Sequence, residues 1–167
     1  MSYEEIIAFL KKNQPFQNED NITKQEIDMY RKSIEYLDKI YADERCIPLL
    51  LNCFGSWCLF EIDKHVEFIL LKFNKEVVEP YLIESLKSKN KYVRYWSACY
   101  ASTFLSKNNI GLLESIIQNK NEEEETRLFA LISMSFIDEK RTNKYIEKLG
   151  KDSFNKQLIE DYNETIL

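Results

Sequence analysis

Apolar residues recur at intervals of three and four along most of this chain, the periodicity of helices with one buried face. Ser2 followed by Glu5 has capping-box spacing ahead of Ile6, Ile7, Phe9 and Leu10, which predicts a first short helix. The stretch "NQPFQNEDN" then breaks the pattern. In "ITKQEI", Thr23 is placed to cap a second helix, Glu26 to close the box and Ile22 to staple onto Ile27. A long helix to about Tyr41 follows, with Ile27, Tyr30, Ile34, Leu37 and Ile40 or Tyr41 on its inner face and charge on its outer one.

Asp43 opens "DERCIPLLLNCF", a further helix that Gly55 is suited to end in a left-handed cap. Pro48 in its interior predicts a kink or a late start. After a connection containing Trp57, the segment from about Leu59 to Phe73 is apolar at Phe60, Val66, Ile69, Leu70 and Phe73, and reads as a partner for the helix before it.

The same plan then repeats. "VVEPYLIESLKSKNKYVRYWSACYASTFLSK" predicts a helix ending near Leu86, a polar turn and a second helix from about Lys91 to Leu105, and "IGLLESIIQNKNEEEETRLFALISMSFIDE" predicts another such pair. Aligning Arg94 with Arg127 places Trp96 on Phe129, Ser97 on Ala130, Ala101 on Met134 and Phe104 on Ile137. Looking backward, "CIPLLLNCF" lies over "VEPYLIESL", with Pro48 on Pro80. The period, about 30–33 residues, is within the range of helical solenoids. A last pair, "RTNKYIEKL" closed by Gly150 and then Asp152 to about Asn163, reads as a terminal cap with a thinner apolar face.

One stretch, "NKYVRYWSACYASTF", mixes basic and aromatic side chains in a way that also suits nucleic acid. On a helical wheel Val93, Trp96, Tyr100, Ala101 and Phe104 form one stripe around small Ser97, so Trp96 and Phe104 are expected in the core, with Tyr92, Tyr95 and Cys99 off the stripe. Lys87, Lys89 and Lys91 flank a turn, the first two placed to favour the negative end of the preceding helix, and the aligned copy carries "EEEE" in place of "KSKNK". A helical scaffold is the better reading.

Composition sharpens this picture. Three Gly and three Pro in 167 residues leave too few breakers for a turn-rich β fold. A formal net charge of -5 repels phosphate backbones and favours basic partners, so no nucleic acid is expected. The N-terminal "MSYEEIIAFLKKNQ" has early acids and too short an apolar run for a secretory signal, and no stretch nears the roughly 18 apolar residues of a membrane span. A soluble, cytoplasmic protein with no membrane partner is expected. Cys46, Cys53, Cys58 and Cys99 follow no CxxC spacing and His65 is the sole histidine, so no metal and no cofactor are expected, and the thiols read as buried and reduced.

From about Asp43 to Ile137 the chain resembles HEAT-type repeats. The resemblance rests on "VEPYLIESLKSKNKYVRYWSACYASTF", with a proline near the start of the first helix, a short polar turn and a "VR" pair followed by small residues. "EETRLFALISMSFI" keeps the Arg, with Thr126 for the Val, while the helix after "DERCIPLLLNCF" has "DKHVEF" where the pair would stand. HEAT-type arrays commonly carry a turn Asp that pairs with the Arg; Asn90 and Asn121 occupy comparable places here.

The resemblance implies an all-α fold, a right-handed superhelix (α-solenoid) of antiparallel helix pairs. Its expected organisation is a single domain, 1–167, with N-terminal capping helices over 1–42, about three HEAT-like pairs over 43–137 and a C-terminal capping pair over 138–167. It further implies a binding surface and no enzyme. Small acidic HEAT-like proteins include immunity proteins of contact-dependent or polymorphic toxin systems, which would make the partner a protein, a basic, nuclease-type toxin domain. On that reading the candidate contacts are Glu61, Asp63 and Glu67, then Tyr92 and Tyr95, then Glu122, Glu123, Glu124 and Glu125. Four consecutive Glu at a helix N-terminus also stabilise the helix dipole while staying solvated. An adaptor joining two proteins, or a HEAT-like DNA glycosylase or other nucleic-acid binder, are the alternatives, the last opposed by the acidic balance.

Overall fold

The computed structural model describes residues 2–15, 22–40, 43–55 and 62–166, the side chains of residues 62 and 63 excepted. Among the described residues every regular element is helical: α1 Tyr3–Lys12, α2 Lys24–Lys39, α3 Cys46–Leu51, α4 Ile62–Leu70, α5 Lys75–Leu86, α6 Lys91–Phe104, α7 Ile110–Gln118, α8 Glu124–Ile137, α9 Glu139–Leu149 and α10 Lys156–Ile166, with 3₁₀ turns at Lys107–Asn109 and Ser153–Asn155. The chain is all-α. It divides into two compact units, Met1–Val93 and Arg94–Leu167, the division falling in the first turn of α6.

The helices start at regular intervals. Helices α6 and α8 are both 14 residues long and start 33 residues apart, at Lys91 and Glu124, and α10 starts 32 later, at Lys156. The elements between them keep the same step, from Lys75 to the 3₁₀ turn at Lys107 that leads into α7, and on to Glu139.

In the first unit α1 packs on α2 and α3, α2 on α4, and α3 on α4 and α5. Both predicted capping boxes form: Ser2 and Glu5 exchange hydrogen bonds of 3.3 and 2.7 Å, Thr23 and Glu26 ones of 3.2 and 2.8 Å. The α2 stripe is buried at Tyr30, Ile34 and Leu37. Helix α3 starts late, so Pro48 is its third residue, where a backbone N–H would have no intrahelical acceptor in any case. Ahead of it Asp43 accepts from the Tyr3 hydroxyl at 2.8 Å and pairs with Arg45 at 2.7 Å, and Arg45 also reaches Glu4 at 2.9 Å, tying this start to α1. The Arg45 guanidinium is the main reason the Asp43 carboxyl is pulled down to about 2. Cys46 and Cys53 are buried free thiols, each pushed up to about 12 by that burial, and Cys99 is half-buried; Cys58 and Trp57 lie outside the described residues.

The second unit is organised on α8, which packs against α7, α9 and α10. Its Ser133 hydroxyl donates to the Ala98 carbonyl of α6 at 2.5 Å, an approach that small Ser97, Ala98 and Ala101 permit. This corrects the expected place of Trp96. Ser97, Tyr100, Ala101 and Phe104 are buried, but Trp96 is only half-buried at the margin of the stripe, its ring against Tyr95 at 5.2 Å and Tyr100 at 6.2 Å. Small side chains define the closest approach, and the bulky indole is left at the edge.

The cap expected at Gly55 is also corrected. Helix α3 ends at Leu51 with Asn52 as its cap, short of Gly55, whereas Gly150 does close α9, with φ of -62°. Among the described residues no glycine has positive φ, and the left-handed residue is Leu105, with φ of 44°, just past α6. Its N–H bonds to the Ala101 carbonyl at 3.3 Å, the single bond of an αL cap. Its side chain is exposed, so nothing packed repays the strain. Leu105→Gly is expected to stabilise the protein by about 0.5–1 kcal/mol, the relief of strain exceeding the extra unfolded-chain entropy of glycine. A higher urea midpoint at unchanged slope is the expected reading; a lower one would show that the leucine packs.

Candidate partner-binding surface

The acidic run before α8 separates into two roles. The turn Asn119–Glu123 folds on itself, with the Glu122 N–H on the Asn119 carbonyl at 3.0 Å and the Asn121 N–H on the Asn119 side chain at 3.1 Å. That geometry turns Glu122 inward. Its carboxylate takes both arms of the Arg94 guanidinium, Nε at 2.6 Å and Nη2 at 2.8 Å, and its side chain is 2% exposed against 20% for Arg94. Glu122 is thus spent inside the fold, which corrects its expected place among the partner contacts.

Glu123, Glu124 and Glu125 are exposed. Glu123 takes the extended N-cap backbone and the other two stand in the first turn of α8, where the dipole favours negative charge. Beside them Tyr95 of α6 donates its hydroxyl to Glu125 at 3.3 Å, with its ring edge-on to Phe129 at 5.3 Å and to Trp96 at 5.2 Å. The result is a half-buried tyrosine flanked by aromatics and rimmed by three carboxylates.

The remaining candidates belong to the first unit. Tyr92 is half-buried, with the Lys91 ammonium 4.9 Å from its ring centroid. Glu67 is half-buried on α4, whose neighbouring Phe68 and Leu71 are exposed. Glu61 and the side chain of Asp63 lie outside the described residues. His65 faces Asp38 of α2 at 3.7 Å, and Asp38, held below the usual carboxylate range chiefly by its hydrogen bond from Lys72, binds that lysine at 2.8 Å.

The arginine aligned with Arg94 behaves differently. Arg127 is 2% exposed and donates to the Ile117 carbonyl at 2.8 Å and to the Asn155 amide oxygen at 2.5 Å, with its guanidinium 4.5 Å from the Phe154 ring centroid. Arg94 meets Glu122, and Arg127 meets Asn155, each 28 residues further on, so the repeat places the acceptor but not its charge. Asn90 and Asn121 are not these acceptors; Asn90 instead caps α6 by accepting from the Tyr92 N–H at 2.9 Å. Burial is the main reason the Arg127 pKa falls below the ordinary arginine value.

Sequence reasoning missed an apolar opening in the second unit. A groove of about 500 Å³ is lined by Phe136, Tyr162 and Ile166 together with Glu139 and Asn143, and Phe136 is 63% exposed. The signal was available: a phenylalanine stands here where the aligned α6 copy has Thr103. Among the described residues no group of three or more His, Cys, Asp or Glu is placed to hold a metal ion, and no helix is long and apolar enough to cross a membrane. No family model matches the chain, and no curated protein matches it.

Proposed function

We propose that this chain is a non-catalytic, protein-binding module of HEAT-like antiparallel helix pairs in a right-handed solenoid. Its role in this reading is that of a cytoplasmic immunity protein that binds and neutralises a cognate toxin domain, basic and of nuclease type. The observation that carries the proposal is the surface at the start of α8, where Glu123–Glu125 stand exposed beside Tyr95. Carboxylates around an aromatic suit a basic partner: the charges steer encounter and the ring gives contact area at low entropic cost. The net charge of -5 extends that field, and the 32–33-residue step of helix starts supports the repeat scaffold.

The test uses the product of the gene immediately upstream as the candidate toxin. Wild-type protein is expected to bind it tightly, with salt-dependent association, and to abolish its toxicity. The triple variant E123K, E124K, E125K is expected to lose roughly 100-fold in affinity, on the order of 1 kcal/mol per reversed charge, chiefly through slower association. Circular dichroism of the same variant keeps a folding defect separate from a binding one. A folded triple variant with undiminished affinity would remove this surface from the proposal.

A second reading, an adaptor with more than one partner surface, is favoured by the groove at Phe136 and Ile166. It predicts that F136S leaves toxin neutralisation intact while abolishing capture of a second protein.

A further inference from the structure

Asn155 stands where the repeat elsewhere holds an acid. Glu122 neutralises Arg94 across a bidentate contact, whereas the equivalent Arg127 receives only an amide oxygen, a backbone carbonyl and an aromatic face. Among the described residues no carboxylate comes within ion-pair distance of Arg127; Glu124 and Asp152 act on it from further off. A buried cation without a counter-ion is costly, and a nearby negative charge gains strongly from the low local dielectric.

On the far side of this arginine's partners the structure is open. Asn155 and Phe154, both in contact with Arg127, line a cavity of about 290 Å³ that Lys120, Lys148, Gln118 and Leu149 also border. Lys120 is occupied by Asp152 at 2.9 Å, while Lys148 makes no ion pair among the described residues. Tyr145, on the same wall, gives its hydroxyl to the Glu114 carbonyl at 3.2 Å. Two lysines thus border the cavity against one carboxylate, Asp152, and the buried guanidinium lies behind Asn155 and Phe154, a positive excess in an acidic protein. The Asn155 amide N–H reaches the Leu149 carbonyl over a long 3.3 Å, which leaves it able to turn to a better acceptor. Exposed Phe154 and the edge of buried Leu149 add an apolar side.

We propose that this cavity is a binding site for an oxyanion, carboxylate or phosphate, carried on a small apolar or aromatic body. The anion sits against Lys148, Gln118 and Asn155 and supplies the charge that Arg127 lacks, and the apolar body lies on Phe154. The volume is at the small end for ligand sites, which restricts the occupant to one ring or one side chain of a larger molecule.

The experiment is a ¹⁵N–¹H NMR titration of the full chain with phenyl phosphate, benzoate, inorganic phosphate and neutral benzyl alcohol. For the two aryl anions, saturable shifts confined to residues around Lys148, Phe154 and Asn155 are expected, with affinities on the order of millimolar for ligands of this size. Tighter binding of phenyl phosphate than benzoate identifies a phosphate as the natural group, and the reverse order a carboxylate; either supports the site. K148Q, a surface change, is expected to weaken binding about fivefold, and N155D, which restores an internal carboxylate beside Arg127, at least about tenfold. Absence of saturable shifts, an equal response to benzyl alcohol, or a K148Q protein that binds both anions like wild type overturns the proposal, whether or not N155D folds.

Discussion

Replacing Arg94 with alanine is expected to destabilise the protein by about 3–4 kcal/mol, because it strands the Glu122 carboxylate where its side chain is 2% exposed. The size of the effect comes less from the lost attraction than from the charge left behind. Glu122→Ala should cost less, about 2 kcal/mol, since the Arg94 side chain is 20% exposed and its guanidinium can turn to water. Arg94→Lys keeps the positive charge but not the fork that meets both carboxylate oxygens, and an intermediate loss is expected. The double variant R94M, E122L should recover much of the stability lost by R94A, as apolar replacements of buried pairs commonly do. Urea unfolding followed by circular dichroism measures all four. A cost for R94A below about 1 kcal/mol would show that the pair behaves as a surface salt bridge and that Glu122 is reachable after all.

Tyr30→Ala should be comparably severe, with a loss of about 3–5 kcal/mol. Tyr30 is 2% exposed on the inner stripe of α2 and is among the largest fully buried side chains of the first unit. Its buried hydroxyl stands beside the Cys53 thiol, beyond the end of α3, and that thiol donates to the Leu50 carbonyl. Tyr30→Phe keeps the ring and removes only the buried hydroxyl, at no more than about 1 kcal/mol. Thiol labelling supplies a second readout. In the native fold Cys53 is buried and its thiol is raised to about 12, so it should resist a thiol-specific disulfide reagent near neutral pH; in Tyr30→Ala it should react far faster. Equal labelling rates in the two proteins would place Cys53 outside the region that Tyr30 supports.

These two residues differ in how they were legible. Tyr30 sits in a run of apolar positions three and four apart, and such periodicity needs no knowledge of what lies opposite, so it placed Tyr30, Ile34 and Leu37 in the core correctly. Glu122 stands in a run of four identical residues before a helix, and local sequence gives no reason to separate the first from the other three. What separates them is the turn at Asn119, which points one carboxylate inward, and an arginine 28 residues earlier that waits for it. The cap at Leu105 was illegible for a related reason. Glycine is the usual choice at a left-handed position, and only the observed backbone shows a leucine held there.

The sequence by itself determined the all-α class, the two capping boxes, a helix period of about 30–33 residues and most of the buried stripe, because each depends on spacing along one chain. Tertiary structure alone decided which carboxylate of the acidic run is structural, why Trp96 stays half-buried, and that Arg127 has an amide where Arg94 has an acid. Those outcomes depend on the distance and direction between residues some thirty positions apart, and a pattern of neighbours carries no record of either.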